Sequence, residues 1–391
     1  MSLSSLLNTI TCISFYQLAL VAFFNPGKFN QAANKWFALC FFAAGCMMLN
    51  WVLYEQNADA TYARLIAFNE LSRFALAPAL YLAVVQLVSP DKGFKAKHYL
   101  HFIPFALFFI YLSPFVITNT NNFWTIFGFL PEPSHWLPVL IALTLKLQLL
   151  IYLALSIYRL RRHQKDIKLI NADTAGIDLN WLQYLIFSLA AMLLSWYSSM
   201  LSTGSRAENV ESAIYLAGTL LAGYFLLAQK EVYPFEAAEL EEIAEVISPE
   251  KYAGTQRFTE EELIKHKDKL LRFMQMDRIY LNNGLNLPEL AAMMHISSHD
   301  LSYVLNKGLN ASFFEYINSY RVEEAKRLML SKENDHLNML GIAYGAGFNS
   351  KTTFYTVFKK KTGLSPRQFI THAKEKAVNL KYYVPLDRSE R

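Results

Sequence analysis

Cysteine, early positive charge and catalytic motifs are what this 391-residue sequence has least of. Its three cysteines, Cys12, Cys40 and Cys46, lie inside apolar runs and in no CxxC or zinc-finger spacing. That excludes a disulfide scaffold and leaves them as small buried hydrophobes. No Lys or Arg precedes Lys28, so the basic stretch of a cleaved signal peptide is missing and the first apolar run is expected to be retained. There is no HExxH, no G-x-S-x-G, no P-loop and no pair of carboxylates within one apolar run. No enzymatic activity and no cofactor are expected. A metal site is not expected either. His98 and His101 have no Cys or carboxylate spaced to complete one, and a turn separates His295 from His299.

What the sequence does hold is a change of solvent partway along. Hydrophobic residues make up 53% of the chain and are concentrated before Leu227. Seven runs of about 18–23 residues, enough to cross a bilayer, can be drawn there: Leu6–Phe24, Trp36–Tyr54, Ala67–Val88, Tyr99–Ile117, Trp136–Ile157, Trp181–Leu201 and Val210–Leu227. Trp36, Trp136 and Trp181 open three of them, as interfacial aromatics do. A soluble helical core would show a polar stripe every 3.6 residues, and Phe102–Leu112 shows almost none.

Loop charge predicts the orientation. Alternate loops carry Lys28 and Lys35, then Lys92, Lys95 and Lys97, then Arg159, Arg161, Arg162, Lys165 and Lys168; the others carry only Arg64 and Arg206. The positive-inside rule puts the first set in the cytoplasm, the amino terminus outside and the carboxy-terminal half inside. A few ionisable residues interrupt the runs. Glu70 and Arg73 sit at i,i+3 with Pro78 below them, Lys146 falls mid-run, and Glu211 and Tyr215 open the seventh run. Such groups are costly in lipid. They are read either as the lining of an outward-facing ligand pocket or as pairs that hold the bundle together.

Beyond the last run the charge separates. Glu231 to Glu262 carries ten acidic residues against Lys251 and Arg257, while His266 to Arg391 carries 19 Lys/Arg against 12 Asp/Glu. Ala238–Ile247 places Leu240, Ile243, Ala244 and Ile247 on one helical face, which suits a solvated spacer helix or a seed for pairing two chains. Its negative charge would hold it away from anionic lipid and from DNA.

Two helix-turn-helix patterns follow. In the first, Leu287–Met294 is a helix, His295-Ile296-Ser297 a turn, and Ser298–Asn306 a second helix opened by a Ser297/Asp300 capping box. A long helix, Ser312–Leu330, leads to the second unit. There a helix holding Leu340, Ile342 and Ala343 ends at Gly345 and Gly347, and Ser350 caps Lys351–Lys361. In that helix Phe354, Val357 and Phe358 face inward, leaving Lys351, Thr352, Tyr355, Thr356 and Lys359 outward.

The run Ala343…Gly347-Phe348-Asn349-Ser350…Phe354…Phe358-Lys359…Gly363…Ser365-Pro366…Phe369 resembles the signature of the AraC/XylS family of bacterial transcription regulators, over roughly Leu285 to Ile370. The resemblance implies two helix-turn-helix subdomains bridged by a long helix. It places base-reading positions on Ser298, His299, Ser302 and Tyr303 in the first unit and on Lys351, Thr352 and Thr356 in the second. Asn306-Lys307-Gly308 departs from the family's usual Phe-Lys-Lys. Lys359, Lys360, Lys361 and Arg367 are available to phosphates, with Tyr355 beside them.

The expected fold is therefore all-α, a seven-transmembrane-helix bundle followed by a cytoplasmic tandem helix-turn-helix domain. The parts are a sensor at 1–230, an acidic helical linker at 231–265, the DNA-binding domain at 266–378 and a tail at 379–391. The expected function is a membrane-bound one-component regulator in a bacterial inner membrane. Expected partners are double-stranded DNA, membrane lipid, RNA polymerase, a second copy of the chain, and a small-molecule, lipid or envelope signal. Rival readings are a transporter or membrane enzyme with an autoregulatory DNA-binding half, and a tether holding a DNA locus at the membrane.

Overall fold

A computed structural model describes residues 2–27, 29–89, 96–118, 136–199, 205–233, 235, 237–247, 257–334 and 336–382. Lys28, Lys92, Lys95 and most of the tail at 379–391 lie outside the described residues. The architecture is helical; among the described residues there is no strand, only an isolated bridge between Asn171 and Asn286. The chain divides into two compact units, residues 1–163 with 179–234, and residues 164–178 with 235–391.

The first unit holds α1 (Leu3–Phe24), α2 (Gln31–Glu55), α3 (Ala63–Val88), α4 (Ile103–Thr118), most of α5 (Trp136–Asp166), α6 (Asn180–Ser199) and α7 (Ser205–Ala228). Consecutive helices α1, α2, α3 and α4 pack side by side, and α7 lies against both α1 and α6. Five stretches, Leu3–Phe24, Gln31–Glu55, Ala63–Val88, Leu143–Leu169 and Glu208–Ala228, are long and apolar enough to cross a membrane. A 3-10 stretch, Ala96–Phe102, precedes the shorter α4.

The polarity of this unit runs opposite to that of a water-soluble bundle. Asn8, Asn34, Asn50, Asn69, Glu211 and Thr219 are buried, while Leu107, Ile110, Leu147, Leu194, Leu220 and Leu227 are more than half exposed. In water such an apolar exterior would be a large uncovered patch. Helices can leave it facing lipid because each satisfies its own backbone hydrogen bonds. The buried amides join neighbouring helices: Asn69 donates to Asn50 Oδ1 at 2.9 Å, and Asn50 donates to Ile66 O at 3.1 Å.

The second unit is built around α12 (Phe313–Leu330), and its other helices are α8 (Ala237–Ile247), α9 (Glu260–Gln275), α10 (Leu287–Met294), α11 (Ser298–Tyr303), α13 (Met339–Gly345), α14 (Lys351–Thr362) and α15 (Pro366–Tyr382). Capping boxes start α9 at Thr259 with Glu262 and α12 at Ser312 with Glu315. The expected box at Ser297 is half formed. Ser297 accepts from Asp300 N, but the Asp300 carboxylate takes the Ser297 hydroxyl at 2.7 Å rather than the backbone. The helix read as Ser298–Asn306 ends at Tyr303 and continues as a π turn, Val304–Gly308, at the point where the sequence leaves the family pattern.

Arg321 on α12 is fully buried. Its Nε donates to Tyr280 O at 2.8 Å and its Nη2 to Asn282 O at 2.7 Å, while the guanidinium lies over the Phe348 ring. Desolvation outweighs a nearby Asp173 charge and brings its pKa down to about 10. Gly347 lies against the same Tyr280 backbone, at φ +90°, where a Cβ would collide with Tyr280 O. Nearby, Arg278 and Arg327 both reach Glu324, at 2.6 and 2.7 Å. One side chain thus ties the entry to the first helix-turn-helix to the turn of the second.

The acidic linker differs from the expected spacer. Ile243, Val246 and Ile247 of α8 are buried, and the helix packs on α11. The basic loop after the fifth run differs too. Its residues Gln164–Asp178 fold with the second unit, where Ile167, Ile170 and Ala172 are fully buried. The loop Gln164–Asp178 has no periodicity from which its docking can be read, and the apolar stripe of α8 does not name its partner.

Replacing Arg321 by Met would leave two carbonyl acceptors without a donor, at about 1–3 kcal/mol each for buried groups. In the full chain, hydrogen exchange of α12 amides should accelerate by roughly tenfold or more, with unchanged exchange in α2 and α3.

Candidate nucleic-acid interface

The second recognition helix, α14, is built as its sequence dictates. Ser350 caps it by accepting from Thr353 N, and Gly363 ends it in the left-handed region at φ +75°. Phe354 and Phe358 are fully buried and meet Phe348 and Phe369 in edge or tilted ring contacts. That anchors one face and turns the other outward. Lys351, Thr352, Thr356, Lys359 and Lys360 are exposed, Tyr355 is half-buried with Lys351 Nζ 5.9 Å from its ring centre, and Arg367 at the start of α15 is exposed. Lys360 also reaches Glu315 at 3.2 Å, a solvent-screened pair that phosphate can displace.

The first unit presents a different picture. Ser298 is fully buried and Ser302 nearly so; His299 and Tyr303 are half-buried. Ser298 N donates to Glu242 Oε2 of α8 at 3.2 Å. Asn306 donates to the Ser302 hydroxyl at 3.2 Å, Tyr303 meets the Phe258 ring edge-on, and Asp300 is paired with Arg257 at 2.8 Å. Burial lowers the pKa of His299, with Arg257 adding to the effect and Asp300 and Glu245 opposing it. The positions read from the sequence are brought together on one short helix, but two of the four, Ser298 and Ser302, are buried.

Sequence reasoning missed two contributors. Asp173, in the segment Gln164–Asp178, accepts from Thr353 Oγ1 of α14 at 2.7 Å and from Ala175 N at 3.1 Å. In the same segment Ile170 O accepts from Leu287 N at 2.8 Å, and Ala172 O accepts from Asn318 of α12 at 2.8 Å. The second is Glu242, whose acidic run could have hinted at a basic or helix-terminal partner but not which one.

The candidate ligand residues fall in the first unit, around a cavity of about 200 Å³. Its wall is mostly apolar, including Phe15, Met47, Trp51, Leu149 and Met192, with Arg73, Tyr152 and Tyr215 as polar groups. Glu70 and Glu211 stand behind it as partners. Arg73 pairs with Glu70 at 2.6 Å, Asn50 also donates to Glu70 at 2.9 Å, and Tyr215 donates to Glu211 at 2.7 Å. Lys146 is half-buried on α5 and is not among the lining residues. Four of the five therefore form two pairs, Glu70 with Arg73 and Glu211 with Tyr215, at an apolar chamber whose lining does not include Lys146.

Comparison with known proteins bears on the second unit. Residues 290–372 match a family model described as a helix-turn-helix domain. The "uncharacterized HTH-type transcriptional regulator in cgkA 5′ region" of Pseudoalteromonas carrageenovora is 32% identical over 87 residues, which is 22% of this chain and 49% of that protein. The chain thus spans about half the length of the curated relative it matches. No solved structure matches.

If Lys359 contacts phosphate, Lys359→Ala should weaken binding about equally across sequences and reduce the slope of log affinity against log salt by about 1. A sequence-dependent loss with an unchanged slope would assign it to base reading instead.

The exposed basic helix α14, the buried bridge at Arg321 and the match to the domain model agree: the carboxy-terminal region of this chain is a helix-turn-helix domain.

Proposed function

We propose that the chain is a membrane-embedded one-component transcriptional regulator. In this reading the seven apolar runs of 1–230 form a sensor, and the domain at 266–378 reads duplex DNA on the cytoplasmic side. A rigid α12 sets α11 and α14 toward successive major grooves, about 34 Å apart on one face of the duplex. Lys351 donates to guanine acceptors, and Thr352 and Thr356 meet thymine methyls. Lys359, Lys360 and Arg367 neutralise phosphates.

The observation that carries the proposal is the segment Gln164–Asp178. Its sequence neighbours on both sides, in α5 and α6, belong to the apolar unit, yet it folds with the DNA-binding unit. A signal that moves either apolar helix pulls on the segment that holds Thr353 and Asn318. The signal itself acts only by binding two states of the bundle unequally. An apolar chamber with one guanidinium and two phenols at its wall suits a mostly apolar molecule bearing a hydrogen-bond acceptor.

Reporter fusions test the arrangement. A fusion after Lys230 that is active only in the cytoplasm should give signal, and one between α6 and α7, just before Ser205, should be silent; the reverse pattern overturns the topology. Expression profiling of a deletion strain then separates a regulator, which alters a small set of genes, from a tether, which alters locus position alone.

A further inference from the structure

The acidic helix α8 packs on α11, the first of the two helices read as touching DNA. It carries Glu239, Glu241, Glu242 and Glu245 and no Lys or Arg within its eleven residues, Ala237–Ile247. Its apolar side is docked, with Ile243 fully buried and Val246 and Ile247 nearly so. The docking partner is α11. Glu242 accepts the backbone N–H of Ser298, and the Glu245 charge acts on His299. These are two of the four positions at which the first unit is read as touching bases.

Three observations make this more than a helix packing on a helix. Ser298 and Ser302 are both buried, so neither can reach a base edge in this arrangement. The Ser298 hydroxyl has no hydrogen-bond partner among the described residues, although buried hydroxyls nearly always have one. A reading residue whose partner belongs to the other state behaves in this way. Finally, α14 in the same unit keeps its reading face exposed, so the covering is specific to α11.

Packed helices approach to about 8–10 Å between axes, which leaves no room for a duplex on the same side of α11. The carboxylates of α8 also repel phosphate at short range. We infer that α8 is an intramolecular DNA mimic that masks the first recognition helix, so that α8 and duplex DNA compete for α11. This rests on the reading of α11 as a recognition helix. In the masked state only α14 is free to engage, and binding through one unit forgoes the contacts of the other. Apparent affinity then falls by the fraction of molecules that are open. The apolar anchor at Ile243 sets that fraction, and Glu242 supplies the charge that stands in for phosphate or base.

The test uses the full chain in phospholipid nanodiscs, titrated at fixed salt with a random-sequence duplex of about 30 base pairs, long enough for two successive grooves. Glu242→Ala should bind several-fold more tightly than the unaltered chain. Ile243→Asp, which detaches the helix, should bind about tenfold more tightly or better. Glu241→Ala removes the same charge one position away, on a side chain as exposed as that of Glu242 but without its hydrogen bond to Ser298, and should change affinity little. Amide exchange in α8 should rise when duplex is added to the unaltered chain. Unchanged or weaker binding by both Glu242→Ala and Ile243→Asp overturns the mask, weaker binding being the mark of a helix that merely supports α11. Should Ile243→Asp fail to fold, Glu242→Ala and the exchange measurement decide between the same outcomes. Absence of binding by every form, the unaltered chain included, instead defeats the reading of the domain as DNA-binding.

Discussion

A single buried guanidinium holds the DNA-binding unit in register. Arg321 comes from the middle of the linking helix and spends its donors on two carbonyls of the segment that leads into the first helix-turn-helix. Its flat face rests on Phe348, the plug of the second. A buried arginine is costly where its hydrogen bonds are lost, and with Nη1 already lacking a partner the bonds of Nε and Nη2 tie it to the backbone at Tyr280 and Asn282. Gly347 fits against that same backbone because any side chain there would strike it. The separation of α11 and α14, on which reading two grooves depends, therefore follows from contacts remote from either reading face.

Two segments outside the family-matched region converge on this frame. Gln164–Asp178 bonds to α10, α12 and α14, and Asp173 opposes the Arg321 charge. Helix α8 bonds to α11. The first is continuous with apolar helices on both sides, and the second follows the last of them. One bonds at the start of α14 and the other packs on α11.

Much of this was legible from residue types and spacing. The apolar runs appear as helices because few polar residues interrupt them, and the second helix-turn-helix could be read from its glycines, its cap and its inward phenylalanines. Helix starts at Ser350 and Ser312 follow from side chains that reach three residues along the chain. What could not be read depends on contacts between distant residues. Glu242 with Ser298, and Asp173 with Thr353, are joined across 56 and 180 residues, and no local pattern encodes such pairs. The docking of α8 escaped for the same reason: its amphipathic stripe announced a partner without naming it. The ligand residues were legible as costly charges, but the apolar chamber beside them is a property of packing among α1, α2, α3, α5, α6 and α7.

The most direct test of the account is chromatin immunoprecipitation of the full chain from cells, with the unaltered protein beside Lys351→Ala/Thr356→Ala. The account predicts a discrete set of genomic sites for the unaltered chain. It also predicts their loss in the double variant, while both proteins remain equally in the membrane fraction. Equal enrichment for the two, or no discrete sites for either, contradicts it.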